Sequence, residues 1–150
     1  MSLKKRVEED LKAAMKARNS DRVRALRGIK ALILLAETAE GRTSSELTPE
    51  EELKLLQKAA KQRKESAEIY KQSGREDLMA IELSELAVIE EYLPKKLTLE
   101  ELKLRLQEII NRVGATSAKD IGKVMGVATK ELAGQAEGKE IATAVKELLQ

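Results

Sequence analysis

Apolar residues return every three or four positions along most of the chain, the period of helices that each bury one face. Leu3, Val7, Leu11 and Ala14/Met15 predict a first helix over residues 3–18. Asn19-Ser20-Asp21 interrupts it, with Ser20 expected to cap a second helix and Asp21 near that helix's positive end. The second helix reaches about residue 40 and turns Val23, Leu26, Ile29 and Ile33 inward. A polar loop, Gly41-Arg42-Thr43-Ser44-Ser45, follows and is the expected place for local mobility. Thr48-Pro49-Glu50-Glu51 then carries a threonine cap, a first-turn proline and an acid at the third position. It opens a third helix whose stripe is Leu53, Leu56, Ala60, Ala67 and Tyr70, with Arg63 inside the stripe. Ser73-Gly74 ends it, the glycine supplying a left-handed cap. The fourth helix covers residues 75–93 on Leu78, Ile81, Leu86, Ile89 and Tyr92, and Pro94 stops it.

Beyond Pro94, Thr98 and Glu101 read as a capping box, with Leu97 and Leu102 as a hydrophobic staple. A fifth helix keeps Leu99, Leu102, Leu106, Ile109 and Val113 on one face and stops at Gly114. Ser117 with Asp120 three residues on starts a sixth helix, which contains Gly122 and Gly126 one turn apart. A mid-helix glycine costs roughly 1 kcal/mol against alanine, so two on one face imply close approach of a neighbouring backbone or of a ligand. Gly134 and Gly138 bracket a turn before a seventh helix over residues 139–149, on Ile141, Val145 and Leu148. The expected fold is all-α, in two unequal helical bundles: four helices in residues 1–94 and three in residues 95–150. No internal repeat maps one half onto the other.

Composition agrees with helices and narrows the chemistry. Leucine, alanine, glutamate and lysine dominate the 150 residues, proline occurs twice, and phenylalanine and tryptophan never. Without histidine or cysteine there is no imidazole base, no thiolate nucleophile, no standard zinc site and no disulfide. No metal and no cofactor are expected. No apolar run approaches the ~18 residues of a membrane span, and the start M-S-L-K-K-R is charged rather than signal-like, so the expected location is cytoplasmic. Net charge is only +2 but unevenly spread: residues 1–42 hold 11 Lys/Arg against 6 Asp/Glu, and residues 43–93 hold 7 against 12. That pattern fits either opposed basic and acidic faces or segments that neutralise each other on packing.

Arg24, Arg27 and Lys30 form a basic row at three-residue intervals on the second helix, either a solvated face or a surface for RNA. Arg63, within an apolar stripe, requires acidic partners; the next helix offers Glu82, Glu85 and Glu90, and Glu82 and Glu85 are the expected members of a structural ion pair. The same pairing is the only arrangement worth inspecting for catalysis. The sole aromatics, Tyr70 and Tyr92, sit on apolar stripes, so RNA would be held by backbone and shape rather than by base stacking.

Four passages in order, L-R-G-I-K (26–30), K-Q-R-K-E-S-A-E-I-Y (61–70), G-R-E-D-L…V-I-E-E-Y-L-P (74–94) and D-I-G-K-V-M-G (120–126), resemble the GatB/YqeY family across nearly the whole chain, in its free-standing YqeY-like form. The resemblance implies two unequal helical bundles. It also implies kinship with the tail of the B subunit of the glutamine-dependent amidotransferase that amidates misacylated tRNA, a carbon–nitrogen ligase. There the tail helps hold tRNA, while the amide chemistry and ATP use belong to other domains. Matching positions are Gly122, Lys123, Val124, Met125 and Gly126, then Gly134 and Gly138. Where family members tend to carry lysines around the following turn, this chain has Ala133 and Gln135, and Lys130 replaces a common proline. The expected RNA-binding set is therefore Gly122, Lys123, Gly126, Lys130, Gly134, Gly138 and Lys139, with Arg24, Arg27 and Lys30. The expected role is a non-catalytic accessory module for tRNA or other structured RNA. The alternative is a protein adaptor docking on amidotransferase or synthetase components.

Overall fold

The computed structural model describes residues 1–42 and 46–150; Thr43, Ser44 and Ser45 of the expected polar loop lie outside the described residues. The fold is all-α, with seven α-helices, one 3-10 turn and no strand among the described residues. The chain separates into two compact units, Met1–Leu93 and Pro94–Gln150.

In the first unit α1 (Leu3–Lys16) and α2 (Ser20–Glu37) form one hairpin, and α3 (Pro49–Gln72) and α4 (Glu76–Glu90) form a second. α2 also packs on α4, so its Leu26, Ile29 and Ile33 lie at the centre and are fully buried with Val7 of α1. α3 starts as its sequence dictates: the Thr48 hydroxyl accepts from the Glu51 N–H, and the Glu51 carboxylate accepts from the Thr48 N–H. α2 starts differently from expectation. Asn19, not Ser20, is the cap, its side-chain oxygen accepting from the Arg22 N–H at 3.2 Å, because Ser20 is already the first helical residue. α2 also stops at Glu37, where the Thr38 hydroxyl donates to the Leu34 carbonyl. α4 ends at Glu90, yet Tyr92 remains in the core just beyond it. The Tyr92 hydroxyl donates to Asp10 of α1, and Arg6 lies over its ring at 5.1 Å.

The second unit is a three-helix arrangement of α5 (Leu99–Val113), α6 (Ile121–Glu131) and α7 (Gly138–Leu148), each packed on the other two. Leu102, Leu106, Ile109, Val124, Leu132, Ile141 and Val145 fill its centre. Leu99, expected on the buried face of α5, is 62% exposed. Leu97, outside the helix, packs against that core instead, its N–H donating to the Gln135 carbonyl at 2.9 Å, and Ile110 joins the buried face. The sixth helix is entered through a 3-10 turn, Ala118–Asp120, so α6 proper begins four residues after Ser117. No buried side-chain N or O atom among the described residues lacks a hydrogen-bond partner.

Candidate nucleic-acid interface

α6 buries Val124 and Ala128 and leaves its opposite side to solvent. Lys123, Gly126 and Lys130 follow at spacings of three and four, so they share that outer face, with Gly122 one turn before Gly126. Lys123 and Lys130 stand about 10 Å apart along the axis. All four residues are exposed. A Cβ built on Gly122 or Gly126 would meet nothing within 4 Å. Of the two readings of these glycines, a neighbouring backbone or an approaching ligand, the first finds no atom to support it among the described residues.

The face is fastened at its start by Asp120, whose carboxylate accepts from the Thr116 N–H at 2.9 Å and the Ser117 N–H at 3.3 Å. Those two backbone donors hold the Asp120 carboxyl below its usual range, with Lys123 adding a smaller favourable effect. Lys119, in the 3-10 turn, is exposed and extends the cationic surface. Sequence reasoning passed over it, although its spacing of four from Lys123 is the signal that marks it. Lys119, Lys123, Lys130 and Lys139 are in no salt bridge among the described residues, whereas Lys96, Lys103 and Arg112 of the same unit pair with Glu137, Glu147 and Glu131. Lys139 lies in the first turn of α7, and Gly138 is the first residue of that helix.

The turn between α6 and α7 is a clip rather than a free loop. Gly134 takes the left-handed conformation at φ 80°, and the Leu132 carbonyl accepts from the Gln135 and Ala136 N–H groups at 2.9 and 3.3 Å. Ala133, Gly134 and Gln135 are half-buried, and the Gln135 carbonyl is held by Leu97. Gly138 has no left-handed φ, so Gly134 alone imposes the reversal.

The basic row of α2 is not three free cations. Arg24 meets Asp21 at 3.2 Å and Glu85 at 3.5 Å, and Lys30 meets Glu8 at 3.7 Å, whereas Arg27 of this row is in no ion pair among the described residues. Glu85 is shared. Arg63 Nη1 contacts Glu82 at 2.9 Å and Glu85 at 3.0 Å, so one carboxylate joins arginines from α2 and α3. Glu82 and Glu85 are only 13% and 16% exposed, and their charge raises the pKa of Arg63, the Glu82 hydrogen bond being the largest cause. These groups link α2, α3 and α4 of the first unit through shared carboxylates. No group of three or more metal-ligating side chains occurs among the described residues, and no helix there is long and apolar enough to cross a membrane.

A curated relative, "Altered inheritance of mitochondria protein 41, mitochondrial" of Clavispora lusitaniae (strain ATCC 42720), is 35% identical over 112 residues, covering 73% of this chain. The aligned chain spans 63% of that relative's length. A family model described as Yqey-like protein matches residues 4–149. With a match over nearly its full length, the chain belongs to the Yqey-like protein family.

Proposed function

We propose that this chain is a non-catalytic accessory module that holds the sugar–phosphate backbone of tRNA, or of another structured RNA, on the outer face of α6. One observation carries the reading: among the described residues, two helix-weakening glycines on which nothing packs lie open between lysines that are in no salt bridge. A glycine surface lets a backbone edge come close, and the lysines supply the counterion-releasing contacts on which nucleic-acid affinity rests. The likeness to the tail of the amidotransferase B subunit belongs to this proposal, as does association with the carbon–nitrogen ligase. Arg27, Lys119 and Lys139 are the remaining free cations that the reading uses, while Arg24 and Lys30 contribute less because carboxylates already neutralise them. We also propose a cytoplasmic setting, consistent with a chain that has no cysteine.

A second reading is a protein adaptor on amidotransferase or synthetase components, without RNA. It is favoured by Leu99 and Leu104 of α5, 62% and 68% exposed. Fluorescence anisotropy with tRNA and with duplex DNA, across a salt series, separates the two. The RNA reading expects tRNA to be preferred, with steep salt dependence. The Lys123→Glu/Lys130→Glu variant should bind far more weakly and lower the salt slope by about 2. Equal weak binding to both polymers, unchanged in the variant, would remove RNA from the account.

A further inference from the structure

The first unit contains eight arginines, and six have a partner. Arg6 lies over the Tyr92 ring, Arg22 pairs with Glu91, and Arg24 pairs with Asp21 and Glu85. Arg42 pairs with Glu51, Arg63 with Glu82 and Glu85, and Arg75 with Asp77. Arg18 and Arg27 are in no ion pair and no side-chain hydrogen bond among the described residues. Both are exposed, and both line the same shallow groove of about 550 Å³, where α1 ends and α2 begins.

The groove has an apolar floor. Met15, 51% exposed, and Val23 line it together with Arg18 and Arg27, and so does Arg24, which is already held by Asp21 and Glu85. Arg18 is placed there by the backbone: the Arg18 N–H donates to the Met15 carbonyl at 3.2 Å and the Asn19 N–H to the Ala14 carbonyl at 3.1 Å. Arg18 itself is left-handed at φ 55°, a position that glycine usually takes.

We propose that this groove docks an acidic segment of a partner protein. An apolar side chain of that segment sits on Met15 and Val23, and carboxylates on either side pair with Arg18 and Arg27. Charge complementarity gives the sign of the partner, and the floor gives its class. An exposed methionine adapts to apolar side chains, and arginine is enriched at the energetic centres of protein interfaces. A phosphate backbone would leave Met15 uncovered, and the groove has no aromatic ring on which a base could stack. The proposal is independent of whether α6 holds RNA.

The test uses the full chain and the variant Arg18→Gly/Arg27→Ala. Glycine suits the left-handed position and Arg27 lies on an exposed helical face, so the variant keeps its fold, which a circular-dichroism melt verifies. A random-peptide display library is panned on the wild type and counter-selected on the variant. The expected survivors carry an apolar residue between acidic residues. A synthetic copy of one should bind the variant about tenfold or more weakly, and lose affinity as salt rises. Peptides held equally by both proteins, or survivors without acidic residues, would overturn the proposal. So would a fall in tRNA affinity in the variant with no peptide enriched, which would assign the groove to phosphate.

Discussion

Arg18 shows how one side chain can sit against its own backbone preference. The chain leaves two other helices through glycines in the left-handed conformation, Gly74 at φ 72° and Gly114 at φ 73°, but leaves α1 through an arginine. For a residue with a Cβ that conformation costs about 1–2 kcal/mol, partly offset by the lower entropy of its unfolded chain. Arg18→Gly is therefore expected to raise stability by about 0.5–1 kcal/mol in urea denaturation; a lower midpoint would mean that the arginine side chain stabilises the turn. Asp120 makes a pH prediction with a definite sign. Its carboxyl is held low by the Thr116 and Ser117 N–H groups, so its contribution is complete above the unfolded value of about 3.9 and is lost as pH falls through the lower folded value. Asp120→Ala should flatten the acid limb of the stability curve below about pH 4, and an unchanged limb would place the acid sensitivity elsewhere, as at Glu51 or Asp77, whose carboxyls are also held low.

Within α6 the glycines separate stability from binding. Because a Cβ at either site meets open space, Gly122→Ala and Gly126→Ala should each stabilise the protein by roughly 0.5–1 kcal/mol. Under the RNA reading the same methyl groups hold the nucleic acid away, so the more stable double variant should bind tRNA less well. If it binds equally well, the glycines have no part in binding. The end of α4 answers to a different test. Tyr92 is anchored to α1 through Asp10 and Arg6, and burial, then the Asp10 hydrogen bond, pushes its phenol pKa up. A raised acid gives stability that is complete below the ordinary tyrosine value of about 10 and is lost as pH rises beyond it. Tyr92→Phe should cost about 1 kcal/mol near neutrality and remove that alkaline loss, read from melts across pH; an alkaline limb identical to wild type would refute the linkage.

Over the chain as a complete fold, charge redistributes in a way that counting cannot foresee. The positive excess of residues 1–42 and the negative excess of residues 43–93 meet inside one unit, in pairs such as Arg22 with Glu91, Arg24 with Glu85 and Arg42 with Glu51. Among the described residues, Arg18 and Arg27 are the arginines of that unit in no ion pair, and in the other unit Lys119, Lys123, Lys130 and Lys139 are in no salt bridge. Raising salt should therefore weaken ligand binding at these surfaces more than it weakens folding. Denaturation midpoints and tRNA anisotropy over one salt series check this, and a parallel decline of both would show that the exposed pairs matter to the fold.

Helix number, approximate bounds, the Thr48 cap and most of the apolar faces were legible in the chain, because each rests on neighbours within a turn or two, whereas Met15, Ile81 and Leu99 of those faces are exposed. The basic row of α2 looked uniform for the same reason, since local spacing makes Arg24, Arg27 and Lys30 equivalent. Folding made them unequal by setting Glu85 beside Arg24 and Glu8 beside Lys30, while among the described residues no carboxylate pairs with Arg27. The openness of Gly122 and Gly126 was likewise a matter of packing, as a glycine pair reads identically whether a helix covers it or solvent does. Local period and capping write the helices into the amino-acid order, whereas pairing and exposure depend on contacts between residues far apart in it, and these exist only once the helices pack.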